Sequence, residues 1–491
     1  MIAPRTSRVA RFAHDLVWDE LPADVQRQSE RCAVDLFAVA IAGTVTEVAQ
    51  IVTAYVLDTY GAGAATLIAG GTCSPAGAAL ANGFAASALD MDDGYRPVKG
   101  HPGAVIFPAI LAAAEERCAS GREFLTALVA GYEVAMRAGH VLHPLYGFYH
   151  GTGSWGPMGA AAGAARLLGG DADQIGGAMG IAEFHAPTTP EMRSVDRPSM
   201  LKDGIGWGAH VGLVSAQLAM RGFTGIPSLF DTDVAAGATA ESLGSRYLIR
   251  DLYFKPYACC RWAHPAVDSA LVAQNDLGVT AADIAGIRVH TFEAASHLRA
   301  AAPRTTEEAQ FSLPWPVACA LIHGEVGPDQ VGALSLSDPD TRMLADRVQT
   351  IHDPDLETRF PEHALAWVEI ETRDGRVARS EVMAARGDAG APLTDEEIVE
   401  KFLGLTRPIL GSSLAGKLLF AIQALSTDGD LQAVTGLLDC ARQSRDIARE
   451  ATKPGRAGRA AVDRIGESEL SSSSRGTKGG PGGHISGETM S

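Results

Sequence analysis

The chain gathers titratable residues into a few Gly- and Pro-containing segments that interrupt apolar, helical sequence. In "DMDDGYRPVKGHPGAV", residues 90–105, Asp90, Asp92 and Asp93 are followed by Arg96, Lys99 and His101. His150 precedes "GTGSWG", Lys202 stands in "SMLKDGIGWGAHVG", and Arg261 and His264 lie in "FKPYACCRWAHPA". These residue types suit acid–base chemistry. Histidine titrates near neutral pH, so it can take a proton in one step and return it in another. Lysine acts as a base only where burial or a neighbouring cation lowers its pKa, and otherwise serves as an anchor for anions. A carboxylate such as Asp90 can orient either one. His140, His210 and His323 occupy ordinary helix positions, which suits structural roles.

Other motifs carry less. "GTGSWG" (151–156) fits the glycine spacing of a dinucleotide fingerprint, but no good strand precedes it, and Asp171 and Asp173 begin a helix. A dinucleotide site needs both a strand before the glycines and an acid ending a second strand. "SMLK" (199–202) has the Ser-x-x-Lys spacing of serine acylases without their partner motifs. Cys259 and Cys260 are adjacent, with no C-x-x-C or H-E-x-x-H in the chain, so free thiols and no metal site are expected.

These segments must be positioned by helices. In 491 residues, hydrophobic types make up 46% and charged types 20%, with 54 glycines, which points to helices packed closely through small side chains. The sequence predicts two helices within 7–45, the second beginning at Ser29 as N-cap, and further helices to about 250 with no strand between them. The texture then changes. "IAGIRVHTF" (284–292) alternates, and "ALAWVEIETRDGRVARSEVM" (364–383) is a hairpin turning at Asp374-Gly375. A helix over 311–323 lies between. Thr394 and Glu397 form a capping-box pattern, and helices are expected at 394–405, 412–425 and 430–447. The fold class is therefore mainly α: a large all-helical domain (1–254 and 391–451) with a smaller inserted α+β lid domain (255–390). A Ser/Gly-rich disordered tail is expected over 452–491.

The net charge of −17 argues against nucleic acid, and an anionic substrate would need a local basic cluster. With no secretory signal, no apolar run of the roughly 18 residues that span a bilayer, and seven scattered cysteines, a cytoplasmic protein with reduced thiols and no membrane partner is expected.

Taken together, "ALDMDDGYRPVKGHPGAV", "YHGTGSWG", "SMLKDGIGWGAHVG", "FKPYACCRWAHPAVDSA" and "QFSLPWPVACALIHGEV" resemble the MmgE/PrpD family of 2-methylcitrate dehydratases, cis-aconitate decarboxylases and iminodisuccinate epimerases, from about residue 7 to 447. The resemblance implies a helical domain with an α+β lid, a homodimer, and a site free of metal and coenzyme that takes a small di- or tricarboxylate. By motif position it implies Asp90, His101, His150 and Lys202 as catalytic residues. Arg261 and His264 correspond to the lid side, and Arg96, Lys99 and Trp315 are added as substrate-binding candidates. The chain departs from the pattern at Gly94, where animal-type decarboxylases carry threonine, and at Trp315, where tyrosine is common. Dehydration of a 2-methylcitrate-like acid is the first expectation, epimerisation of an iminodisuccinate-like acid the second and decarboxylation of a cis-aconitate-type acid the third. An inactive member acting as a binding protein is the reading from a different class.

Overall fold

The computed structural model describes residues 4–439 apart from Asp233 and Asp428. The expected tail and the last residues of the helix placed at 430–447 lie outside that range; residues 431–439 are helical. The fold is mainly α, as composition and periodicity predict.

Helices Pro75–Ser87, Pro102–Arg117, Gly121–Leu145, Gly156–Leu167, Ala172–His185 and Ile205–Met220 pack on one another. Their contact faces are Ala- and Gly-rich, which lets backbones approach. At the crossing of Gly121–Leu145 with Gly156–Leu167, a Cβ on Gly159 would fall 2.2 Å from the Gly131 carbonyl oxygen, so only glycine fits there. Local signals hold at several ends. Ser120 with Glu123, Asp171 with Gln174, and Thr394 with Glu397 each form a reciprocal capping box.

Two expectations are corrected. Helix Ala23–Gly43 begins six residues before the predicted N-cap. Ser29 lies inside it, and its hydroxyl donates to the Gln26 carbonyl at 2.7 Å. Secondly, the first 250 residues contain a two-stranded ribbon, Ala65–Thr66 against Thr72–Cys73, too short to show an alternating pattern.

The strands of the second half form one sheet in the order Val348–His352, Ile284–Thr291, Leu365–Thr372, Val377–Arg379, with Met383–Ala384 also paired to Leu365–Thr372. The hairpin turns as predicted, with Gly375 at φ +86. Val348–His352 pairs in parallel with Ile284–Thr291. Helix His264–Leu277 lies against Leu365–Thr372, and the apolar core continues from the helical layers through this sheet. Helices Asp395–Leu410 and Ser412–Gln423 return to pack on Ala23–Gly43. Lys401 Nζ there donates to Asp35 Oδ1 at 2.6 Å and to the Met91 carbonyl at 2.8 Å, which pins the acidic loop that follows Ser87.

No single helix among the described residues is long and apolar enough to cross a membrane; one bent pair, Ala23–Gly43 with Glu47–Thr59, passes on length and composition together.

Candidate active site

Among the described residues, five non-glycine residues have positive φ, and four of them meet in one place: Asp90 (52°), Lys99 (51°), Lys202 (48°) and Asp203 (54°). Left-handed backbone costs a non-glycine residue about 1–3 kcal/mol, and such residues concentrate at functional sites. Here Asp90, Lys99 and Asp203 line one cleft, whose empty space, open to solvent, is ≈ 680 Å³, and Lys202 is buried next to Asp203.

His101 is the residue before the first turn of helix Pro102–Arg117. Its backbone N–H donates to Thr152 Oγ1 at 2.9 Å, and its Nδ1 lies 2.8 Å from the Asp93 carbonyl oxygen. A carbonyl only accepts, so Nδ1 carries the hydrogen and Nε2 is the free end. Nε2 points toward Asp90 Oδ1 at 3.9 Å and Asp203 Oδ2 at 4.0 Å. The histidine is thereby fixed in one tautomer, with its working nitrogen at the cleft wall between two carboxylates.

Asp90 is held by Lys255, whose fully buried ammonium donates to Asp90 Oδ1 at 2.5 Å and to the Asp90 carbonyl at 2.9 Å. Burial pushes the Asp90 carboxyl up, but Lys255, His101 and Lys202 prevail and hold it below its ordinary range. Burial pushes Lys255 down, and the carboxylates of Asp90 and Asp92 overcome that and raise it. Both groups therefore stay charged. Lys202 is buried behind this pair and donates to Gln310 Oε1, while Gln310 Nε2 donates to the Ala88 carbonyl at 3.1 Å. Its pKa is lowered by burial against the opposing pull of Asp90, Glu307, Asp92 and Asp203. Glu191 lines the same cleft as Asp203. Burial, then the charge of Asp203, holds the Glu191 carboxyl well above its ordinary range.

The opposite wall carries the arginines. Arg261 pairs with Asp388 Oδ1 at 2.5 Å and donates to the carbonyls of Arg386 at 2.9 Å and Ala385 at 3.1 Å. Arg96 takes the other carboxylate oxygen of Asp388. Lys99 lies over the Tyr149 ring, 5.1 Å from its centroid. His264 is fully buried; Nε2 lies 3.1 Å from the Cys259 carbonyl and Nδ1 lies 3.2 Å from Arg261 Nη1. It therefore donates through Nε2 and accepts from the guanidinium through Nδ1. Burial and then the Arg261 charge push its pKa well below normal, so it is neutral and orients Arg261 from behind.

The structure thus brings Asp90, His101, Arg96, Lys99 and Arg261 to the cleft wall, with Lys202 and His264 buried at its back. It does not bring His150 or Trp315 to it. His150 Nε2 lies 3.2 Å from the Tyr146 carbonyl, its ring sits 3.8 Å from that of Phe148, and its neighbour Tyr149 lines the cleft instead. Trp315 is fully buried and donates its indole N–H to the Gln330 carbonyl at 2.9 Å. Sequence reasoning missed Lys255, Asp203, Tyr253, Glu191 and Asp388. Lys255 and Asp203 stood inside quoted segments, Asp203 directly after Lys202. Glu191 and Asp388 had no signal in type or spacing.

The discounted motifs have structural explanations. Gly153 packs against the Gly204 carbonyl, where a Cβ would come to 2.6 Å. Ser199 is exposed while Lys202 is buried, so they form no nucleophile–base pair. Cys259 is a buried free thiol, and Cys260 lines the cleft with its thiol pushed up to about 12 by burial. Among the described residues no group of three or more His, Cys, Asp or Glu side chains is arranged to hold a metal ion.

Asp93 supports the site from below. Its Oδ1 accepts the Gly103 N–H at 3.0 Å, and its Oδ2 accepts the Tyr132 hydroxyl. Burial outweighs these donors and pushes the carboxyl from 3.8 up to about 7. The folded state therefore binds a proton that the unfolded state has lost between these two values. This stabilisation is complete below about pH 4 and disappears as pH rises through 7, a change on the order of 4 kcal/mol. Denaturant unfolding at pH 4.5 and 7.5 should show the wild type losing stability relative to Asp93→Asn as pH rises; parallel profiles would refute the assignment.

Two family models match the chain: the MmgE/PrpD N-terminal domain over residues 7–241 and the MmgE/PrpD C-terminal domain over residues 257–427. The chain is 24% identical to the cis-aconitate decarboxylase-like protein oryM of Aspergillus oryzae, over 88% of this chain and 97% of that one. It is 25% identical to the cis-aconitate decarboxylase of Mus musculus, over 89% and 94%, and 26% identical to that of Homo sapiens, over 89% and 95%. With the family models covering most of its length and lyases among its full-length relatives, the chain belongs to the MmgE/PrpD family and is an enzyme with lyase activity.

Proposed function

We propose that the protein is a coenzyme-independent lyase of a small tricarboxylate, with His101 as the proton carrier. The observation that carries this reading is the pinned imidazole, with Nδ1 tied to the Asp93 carbonyl and Nε2 held between Asp90 and Asp203 at the cleft wall. A positive charge formed on that ring in mid-reaction faces two carboxylates, while Lys255, Lys99, Arg96 and Arg261 supply the positive groups an anionic substrate needs in a protein of charge −17.

Decarboxylation of a cis-aconitate-like acid now comes first, because the full-length relatives bear that activity in their names. One carboxylate leaves as carbon dioxide, its bonding electrons pass into the carbon framework, and His101 delivers to carbon a proton that its Nε2 has first taken from solvent. The product of a six-carbon tricarboxylate is then a five-carbon dicarboxylate. Dehydration, first from the sequence motifs, is the second reading, with the same histidine as base; what supports it is Gly94, which lines up with the threonine of animal-type decarboxylases and brings no hydroxyl of its own. In either case 255–390 is read as a lid over the helical domain, and the protein works as a homodimer in the cytoplasm, without a metal.

The test is incubation with cis-aconitate in deuterated buffer. Carbon dioxide in the headspace and one deuterium per product molecule are expected. A new alkene from 2-methylcitrate without gas would establish dehydration instead. No turnover of cis-aconitate, citrate or 2-methylcitrate would overturn the proposal.

A further inference from the structure

We propose that Tyr253 is a substrate-binding residue whose phenol hydroxyl reaches the cleft through the space that Gly94 leaves empty. The two residues are joined by reciprocal backbone bonds, Gly94 N–H to the Tyr253 carbonyl at 2.9 Å and Tyr253 N–H to the Gly94 carbonyl at 2.8 Å. A Cβ built on Gly94 would lie 2.1 Å from Cζ, 2.3 Å from Oη and 2.6 Å from Cε2 of Tyr253. Gly94 is not among the residues with positive φ, so its backbone does not require glycine. The aromatic ring does: any side chain at 94 and the ring as placed exclude each other.

The ring is also held across its face. The Arg261 guanidinium lies 4.6 Å from its centroid, and Arg261 is fixed by Asp388 and two carbonyls. Tyr253 lines the cleft beside Lys255 and Arg261. Among the described residues its hydroxyl has no hydrogen-bond partner, and it is not sealed away from solvent either. Burial pushes the phenol up to about 12, against the pull of the Lys255 and Arg261 charges, so it remains a donor at neutral pH. A neutral donor among cations, with no acceptor from the protein, matches a carboxylate or hydroxyl oxygen of a bound acid.

The inference rests on the reading of the cleft as a polycarboxylate site, and its test separates the two. Dissociation constants for cis-aconitate, citrate and 2-methylcitrate are measured by calorimetry for the wild type, Tyr253→Phe, Gly94→Ala, Tyr253→Ala and Gly94→Ala/Tyr253→Ala, with thermal unfolding of each. Losing one hydrogen bond to a charged group should weaken binding in Tyr253→Phe about 10- to 100-fold, with the unfolding temperature unchanged and, for any acid turned over, KM raised far more than kcat is lowered. Gly94→Ala should lose affinity in the wild type and lose no more in the Tyr253→Ala background, because the ring it displaces is gone. Unchanged affinity in Tyr253→Phe, or additive losses in the double variant, overturns the inference alone. A wild type that binds an acid without converting it refutes the lyase reading on that acid, and the affinities still decide the role of Tyr253. A wild type that binds none of the three overturns the polycarboxylate reading together with the ligand assigned to the hydroxyl.

Discussion

The variant His101→Gln is expected to lose about 10²- to 10⁴-fold in kcat, the usual contribution of a positioned general acid or base, while binding substrate within a few-fold of the wild type. Glutamine is close to histidine in reach and can donate an amide hydrogen to the Asp93 carbonyl, so the bond that orients the ring has a substitute. What it cannot do is carry a proton. Because Nε2 sits between Asp90 and Asp203, the loss should fall on the chemical step and leave affinity to the cationic wall. Single-turnover rates and calorimetric dissociation constants separate the two. A variant with near-wild-type turnover would remove His101 from the mechanism and turn attention to the other proton-bearing groups of the cleft, Glu191 among them.

Lys255→Met should cause the largest loss of stability of any single change near the site. It deletes the cation whose two hydrogen bonds hold Asp90 and leaves that carboxylate buried, next to Asp92, whose two oxygens already lack partners. Breaking a buried pair by removing one partner costs about 3–5 kcal/mol, whereas replacing both by apolar or neutral groups can be close to neutral. Denaturant unfolding should therefore show a large loss in Lys255→Met and recovery in Asp90→Asn/Lys255→Met. Asparagine is the right neutral partner because it tolerates the left-handed backbone at this position (φ 52°). Activity should not return with stability, since the double variant lacks both the cation and the carboxylate beside His101. A double variant no more stable than Lys255→Met would show that the pair does not act as a unit.

The helical architecture was legible because its signals are local and repeated: Ala-rich periodicity, the capping residues at Asp171 and Thr394, and Asp374-Gly375 between alternating runs. Val348–His352 was not, because "VQTIH" is five residues long and only its first is buried. It is a strand because it can bond to Ile284–Thr291, a fact of tertiary pairing. The start of Ala23–Gly43 was misplaced because Ser29 is a good cap by type while Pro22 supplies the actual boundary. In the site, Asp90 and His101 were legible from charge set in a Gly- and Pro-rich break in apolar helix. Lys255 was not, since a lysine between phenylalanine and proline gives no hint that its ammonium is fully buried. His150 and Trp315 show the limit from the other side. Residue type and motif position singled them out, but the direction of a side chain depends on what packs around it. Phe148 and the Tyr146 carbonyl claim one, and the Gln330 carbonyl the other.

The bonds from Lys401 to Asp35 and to the Met91 carbonyl bear on the order in which the molecule can be made. During synthesis the N-terminal helices emerge first and can pack early through their local contacts. Arg96 and Arg261 meet their shared carboxylate only once Asp388 has left the ribosome, and the loop that carries Asp90 gains its tether to the C-terminal helix later still, when Lys401 emerges. A nascent chain can thus hold a largely packed helical scaffold while its catalytic loop is still untethered. The machinery that acts on substrate is completed by some of the last contacts to form.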